Sequence, residues 1–254
     1  MTYIEKLSAI RQQMKQDGVS AYIIPSADPH ISEYLPSHYK CIRFVTGFTG
    51  SVSTVVITHH FAGLWADARY FEQAEEQLEG SGFELVKLKV QNNPEYINWL
   101  GEVLPQGAKI AFDEKLISVV LGELLQQQLA FKQVEFTHQD YLSAIWQNRP
   151  ELPKKAAFLI DEKFIGKSVA EKLTAVRKAM KQNHANYHFI SSLDDMAWLF
   201  NMRGSDVSYN PVVLSFALIT TEKATIYIDK NKLTDADLST LADNGVEVLA
   251  YEAV

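Results

Sequence analysis

Glu5-Lys6-Leu7-Ser8-Ala9-Ile10-Arg11-Gln12-Gln13-Met14-Lys15-Gln16 is met again, 166 residues further on, as Glu171-Lys172-Leu173-Thr174-Ala175-Val176-Arg177-Lys178-Ala179-Met180-Lys181-Gln182. Each copy is preceded by a hydroxyl residue three positions before its first glutamate, Thr2 and Ser168, the spacing of a capping box. Ile4, Leu7, Ile10 and Met14 recur at helical period in the first, Leu173, Val176 and Met180 in the second, and Gly18 stops the first helix. Two similar amphipathic helices are cheap to arrive at, so the register beyond them decides whether the chain is built twice. Each helix leads into a β-rich run, Ala21-Tyr22-Ile23-Ile24 and Tyr187-His188-Phe189-Ile190. Val55-Val56-Ile57-Thr58 and Leu64-Trp65-Ala66-Asp67 then correspond to Ala217-Leu218-Ile219-Thr220 and Ile226-Tyr227-Ile228-Asp229, with Thr58 to Thr220 and Asp67 to Asp229 both offset by 162. Gly82-Phe83-Glu84-Leu85-Val86 is echoed by Gly245-Val246-Glu247-Val248-Leu249 at an offset of 163.

The pattern predicts a duplicated α/β domain, each copy a mixed β-sheet flanked by helices. The first copy continues through a helix over 94–104, a strand over 108–112, a helix over 118–129 and a strand over 133–136. The second has no room for these before Val254, so it reads as truncated. Trp146-Gln147-Asn148-Arg149-Pro150-Glu151-Leu152-Pro153 carries two prolines in a polar stretch and reads as a semi-rigid linker. The expected domains are therefore 1–150 and 151–254, the latter incomplete.

Bulk composition narrows the class of function. With 254 residues, 47% hydrophobic and 22% charged, the chain can bury a real core. A net charge of -7 argues against nucleic acid as a partner, because backbone binding rests on clustered Lys and Arg that release counterions. The single cysteine, Cys41, has no partner for an intrachain disulfide and suits a reducing, cytoplasmic location. Met1-Thr2-Tyr3-Ile4-Glu5-Lys6 places charge where a signal peptide needs an apolar stretch, and no apolar run approaches membrane-spanning length, so neither secretion nor a membrane partner is expected.

Several longer motifs point to a family. Tyr22-Ile-Ile-Pro-Ser-Ala-Asp-Pro-His-Ile-Ser-Glu-Tyr34, Arg43-Phe-Val-Thr-Gly-Phe-Thr-Gly-Ser51 and Leu64-Trp-Ala-Asp-Ala-Arg-Tyr-Phe71 come first. Ile145-Trp146-x-x-Arg149-Pro150 and Leu193-Asp-Asp-Met-Ala-Trp-Leu-Phe-Asn-Met-Arg-Gly-Ser-Asp206, with Asn210-Pro211, follow in the same order. Together they resemble the N-terminal region of Xaa-Pro aminopeptidases (aminopeptidase P) of the creatinase and prolidase type. Two glycines of the family pattern are missing. Ser51-Val52-Ser53-Thr54 stands where Ser-Ala-Gly-Thr is usual, and Asp67-Ala68-Arg69-Tyr70 where Asp-Gly-Arg-Tyr is usual. If either position needed positive φ, a side chain there would cost on the order of 1 kcal/mol.

The resemblance implies two creatinase N-terminal-like domains followed, in a complete enzyme, by a catalytic pita-bread domain absent from this chain. That domain holds a pair of divalent ions, usually manganese, on two Asp, one His and two Glu. It removes the N-terminal residue from peptides whose second residue is proline, a metal-bridging hydroxide attacking the Xaa-Pro carbonyl. Proline offers no N–H for strand-like docking, so such an enzyme needs a shaped pocket. The N-terminal region is implied to shape access to it and to support a homodimer, with neither catalysis nor a cofactor of its own. A free-standing binding or regulatory protein that kept the fold and lost the peptidase is the alternative, and its mark would be a natural stop after Val254. An independent enzyme working through Asp28, His30 or Ser32 is a third reading.

Arg69 matches the arginine that in the family reaches the catalytic cleft and contacts the peptide, where a guanidinium holds a carbonyl or carboxylate through paired hydrogen bonds. Its counterpart after Asp229 is Asn231, so the scaffold does not itself demand arginine; the competing reading is a surface arginine near Asp67, Glu72 and Glu75. Asp28, His30, Ser32 and Glu33 resemble a hydrolytic cluster, and His30-x-x-Glu33 has ligand spacing, but Asp28-Pro29 opens a turn or short helix and Ser32 lacks a nucleophile elbow. His59-His60 is expected on opposite faces of a strand, and His184-x-x-x-His188 lacks the Glu of H-E-x-x-H. Gly47-x-x-Gly50-Ser51 lacks the ending of a phosphate loop and reads as turn glycines. Arg203, Asp206 and Asn210 fall in a polar loop whose individual roles the sequence leaves open, with turn stabilisation, substrate contact and subunit contact all available.

Overall fold

The computed structural model describes residues 1–91 and 93–254, with the backbone alone for Glu162. The chain divides into two compact units, one made of Met1–Pro29 and Ser37–Glu151, the other of His30–Pro36 and Leu152–Val254.

In the first unit, α1 (Tyr3–Gln16) opens on a complete capping box between Thr2 and Glu5 and buries the stripe Leu7, Ile10 and Met14. Gly18 turns the chain at φ +65, and the Val19 amide returns to the Met14 carbonyl at 2.7 Å. There follow β1 (Ala21–Pro25), α2 (Cys41–Thr46), β2 (Thr54–Thr58), β3 (Ala62–Ala66), α3 (Phe71–Gln77) and β4 (Glu84–Lys87). The unit is completed by α4 (Glu95–Val103), β5 (Lys109–Phe112), α5 (Val119–Leu129), β6 (Glu135–His138) and α6 (Tyr141–Ile145). The last strand begins two residues later than its composition predicts, because Gln133 sits in the left-handed region at φ +50 and ends the preceding helical turn.

The strands form one six-stranded mixed sheet in the order β4-β3-β2-β1-β5-β6. Strand β2 runs antiparallel to both β1 and β3; β4 is parallel to β3, β5 to β1 and β6 to β5, so every strand but β2 points the same way. β1 is buried along its whole length, as expected of a strand paired on both edges with both faces covered. One face packs Ile23, Val56 and Trp65 against Ile97 and Leu100 of α4 and Leu125 and Leu129 of α5. Cys41 is buried beside the Arg149 guanidinium, and that burial pushes its thiol up to about 12, making it a structural and unreactive group.

The second unit contains β7 (Phe158–Leu159), α7 (Val169–Gln182), β8 (Tyr187–Ile190), α8 (Leu193–Leu199), β9 (Met202–Arg203), β10 (Ser215–Thr220), β11 (Ala224–Ile228), α9 (Asp235–Asp243) and β12 (Val246–Leu249). Its four-stranded sheet, ordered β12-β11-β10-β8, repeats β4-β3-β2-β1 in order and direction. The register is the same pair by pair: Ala21 faces Thr58 as Tyr187 faces Thr220, and Trp65 faces Thr54 as Tyr227 faces Phe216. Ser168 and Glu171 close the same capping box.

Polar tethers are repeated as well. Arg11 Nε donates to the Thr58 carbonyl at 2.9 Å and Arg177 Nε to that of Thr220 at 3.1 Å. Lys6 lies over the Phe44 ring and donates to the Phe44 carbonyl at 2.7 Å; Lys172 lies over the Trp198 ring and donates to the Trp198 carbonyl at 2.6 Å. These last contacts equate α2 with α8, a correspondence sequence alignment does not reveal. Within these 254 residues the second copy is seen as far as β12, the counterpart of β4.

One expectation is corrected. His59 and His60 lie in the turn between β2 and β3, with rings 6.5 Å apart, because the hairpin closes at Thr58, whose hydroxyl accepts the Phe61 amide. In the stretch read as a semi-rigid linker, Trp146 stacks on Phe44 at 4.2 Å and Arg149 donates to the His38 carbonyl and to Asp140, while the division between the units falls after Glu151.

Candidate functional site

Strand β3 ends at Ala66, and the Asp67 carboxylate then accepts the Arg69 amide at 3.0 Å, winding residues 68–70 into a single helical turn. Asp67 is buried, while the Arg69 side chain is 53% exposed. The pairing is side-on: Nε reaches Oδ1 at 2.9 Å and Nη2 reaches Oδ2 at 2.8 Å, so the guanidinium plane is fixed by one carboxylate. The hydrogen bond from Arg69 holds the Asp67 carboxyl below the usual carboxylate range. The guanidinium also lies 5.3 Å from the Tyr70 ring. In the second copy Asp229 Oδ1 accepts from both the backbone and the side chain of Asn231, repeating the turn without the cation.

The Gly47–Ser51 motif converges on the same place. Gly47 caps α2 in the left-handed region at φ +86, and a Cβ there would meet the Tyr3 ring at 2.8 Å. At Gly50 the demand is space: a Cβ would run into the rings of Phe48 and Tyr70. Ser51 Oγ lies 2.7 Å from the Tyr70 hydroxyl, and Phe48 meets Tyr70 edge-on. Ser53 and Ala68, which replace family glycines, both have φ outside the positive region, so neither substitution strains the turn.

Asp28, His30, Ser32 and Glu33 do not form a hydrolytic set. His30 is buried, its Nδ1 2.9 Å from the Ser191 carbonyl and its Nε2 2.8 Å from the Tyr251 hydroxyl, and it stacks on Phe216 at 4.2 Å. Both ring nitrogens are thus engaged in holding residues 30–36 to the second unit. His30, Ser32, Glu33 and Asn210 line a cavity of about 400 Å³ with Ser192 and Asp194. Asp28-Pro29 opens a turn at Pro29 and His30, as expected, and the segment then passes through Ile31 at φ +53.

The polar loop is less exposed than its composition suggests. Asp206 is buried, its Oδ2 2.6 Å from the Lys232 ammonium and accepting the Leu214 amide at 2.8 Å, while Oδ1 has no hydrogen-bond partner among the described residues. Burial raises its pKa against the opposing pull of Lys232. Lys232 went unnoticed in the sequence because a lysine beside Asp229 reads as surface charge. Arg203 donates to the carbonyls of Ala197 and Met202, closing the end of α8. Among the described residues, no group of three His, Cys, Asp or Glu could hold a metal ion, and no helix is long and apolar enough to cross a membrane.

Comparison with known proteins gives these features a family. Residues 6–145 and 148–254 each match a model described as a creatinase/prolidase N-terminal domain. Xaa-Pro aminopeptidase 1 of Dictyostelium discoideum is 37% identical over 260 residues, covering 98% of this chain and 41% of its own length. Aminopeptidase P1 of Lotus japonicus is 37% identical over 252 residues, covering 98% of this chain and 38% of its own. The crystal structure of an X-prolyl aminopeptidase from Caenorhabditis elegans, described as a cytosolic enzyme with a di-nuclear active site, superposes with a TM-score of 0.94 at 29% identity, over 99% of this chain and 43% of that one. The chain therefore spans about two fifths of the length of the relatives it matches, and it belongs to the creatinase/prolidase N-terminal domain family, whose fold it carries twice in succession.

Proposed function

We propose that this chain is the N-terminal, non-catalytic region of an Xaa-Pro aminopeptidase, and that the complete enzyme removes the first residue from peptides with proline second. The observation that carries this reading is the pattern of coverage: relatives of that activity match this chain over 98% of its length while extending well beyond it. In this reading the pair of divalent ions, manganese by resemblance, is held by the catalytic domain of the complete enzyme. The division at about residue 150, cytoplasmic location and a homodimer are parts of the same proposal. In it, the two units wall the approach to the active site, and Arg69, its guanidinium plane set by Asp67, contacts the bound peptide.

The test is to isolate the native gene product with an antibody against this region, weigh it and assay it. A mass near 70 kDa, of which the 28.7 kDa of this chain is 41%, with metal-dependent release of the first residue from an Xaa-Pro peptide, is expected. A product of 28.7 kDa without that activity would replace the reading with a free-standing binding protein.

A further inference from the structure

We propose that a cavity at the carboxyl end of the first unit's sheet is a binding site for a neutral, apolar side chain of a peptide, with an aromatic ring as the best fit. The cavity has a volume of about 380 Å³, inside the range of roughly 300–1,000 Å³ typical of small-ligand sites. It lies where β1 and β3 end, beside the loop after β4, and its remaining walls are the loop into β2 and the amino-terminal turns of α4 and α5. In open α/β sheets this crevice outside the carboxyl ends of the strands is where ligands are received.

The chemistry of the walls selects the ligand. Trp65 and Tyr96 are buried, with rings 6.3 Å apart at 68°, and Leu121 and Leu124 of α5 lie opposite. Among the described residues of the lining Asp67 is the one carboxylate, and its charge is already matched by Arg69. A charged guest would find no counter-ion there, whereas an apolar ring would exchange water for aromatic and aliphatic surface at about 25 cal/mol per Å². Thr54, Asn93 and the hydroxyls of Ser26, Ser53 and Ser118 are the further polar groups on the described lining.

Exposure at the rim points the same way. Val119 and Val120 begin α5 with 77% and 75% of their surface in solvent. The first turn of a helix accepts acidic or hydroxylic residues at no cost, so two β-branched apolar side chains there, one of them on the cavity wall, mark a contact surface. At the corresponding turn of the second copy Asp229 is followed by Asn231, whereas in the first copy Asp67 joins the two features, standing on the cavity wall and holding the arginine in its ion pair. That the guest is part of a peptide rests on the proposed function.

The experiment is a titration of the ¹⁵N-labelled 254-residue chain with N-acetyl-phenylalanine amide, and separately with N-acetyl-lysine amide. Saturable shifts of the Trp65 indole N–H and of the amides of 52–54 and 120–124 are expected with the first, with at least tenfold weaker binding of the second. Val120→Asp, which places an acid favourably in a first helical turn, should leave the remaining spectrum intact and weaken binding at least tenfold. Leu121→Trp, which fills the cavity, should do the same. Absence of saturable shifts, equal binding of the lysine probe, or unchanged binding by both variants would overturn the proposal. Because binding is read on the chain itself, the two readings fail separately: shifts without any peptidase activity in the native product leave the cavity standing, and activity without shifts removes only the cavity.

Discussion

The carboxylate of Asp67 closes a backbone turn and fixes a guanidinium, and these two tasks respond differently to acid. Its folded-state pKa is lowered, first by the side-chain hydrogen bond from Arg69, so the stability it contributes is present above the ordinary carboxylate pKa and is lost as pH falls through the folded-state value. Urea unfolding of wild type and Asp67→Asn should therefore differ at neutral pH, by a few tenths to about 1 kcal/mol given the exposed partner, and converge in acid. A gap that widens in acid would contradict the assignment. The buried pair Asp206–Lys232 has the opposite character, with Asp206 raised by burial. Lys232→Met alone should cost about 3–5 kcal/mol, because it strands a buried carboxylate, whereas Asp206→Leu with Lys232→Met should come within about 1 kcal/mol of wild type. Chemical denaturation of the single and double variants decides between a coupled pair and two independent polar contacts. None of this pairing was legible in the sequence: Asp206 and Lys232 are 26 residues apart, and a buried lysine carries no local signature.

Strands β1 and β8 isolate what a second neighbour does for an element. They occupy the same place in the repeat and pair in the same register with β2 and β10, yet β1 is buried throughout while Tyr187 and Phe189 of β8 are 71% and 51% exposed. The cause is that β1 has β5 on its other edge and α4 and α5 over one face, whereas β8 pairs with β10 alone among the described residues. Hydrogen exchange at neutral pH should place the β1 amides among the most protected of the chain and the outward β8 amides at least a hundredfold faster, since an unpaired edge opens without breaking the sheet. Comparable protection in both would mean that the open edge is covered in solution. The β-rich runs and the capping boxes made these elements legible, because both are local. The turn at His59 and His60 was not, since a run of β-formers gives no sign of where a hairpin closes until the Thr58 hydroxyl is seen holding the Phe61 amide.

For the molecule as a whole, duplication supplies an internal control that a single domain lacks. The matched offsets revealed two copies because pair-by-pair register leaves a trace in the sequence, whereas the likeness of α2 and α8 rests on a lysine gripping a helix end and left none. The same duplication shows what the fold requires at position 69. Asp67 and Asp229 close the same turn, one followed by Arg69 and the other by Asn231, so arginine is optional for folding. Arg69→Ala in the longer protein should lower kcat/KM for an Xaa-Pro peptide by roughly 10- to 100-fold, the loss of one charge-assisted contact, with the melting temperature little changed. Asn231→Arg should fold with a stability change within about 0.5 kcal/mol, as an exposed substitution at a turn already suited to it. Carrying both substitutions, the protein should regain the cation count and none of the activity, because a guanidinium beside Asp229 stands in the second unit and not beside Asp67. Recovery of kcat/KM in the double variant would show that the arginine acts through charge alone and not through its place beside Asp67, and unchanged kinetics in Arg69→Ala would remove it from the site.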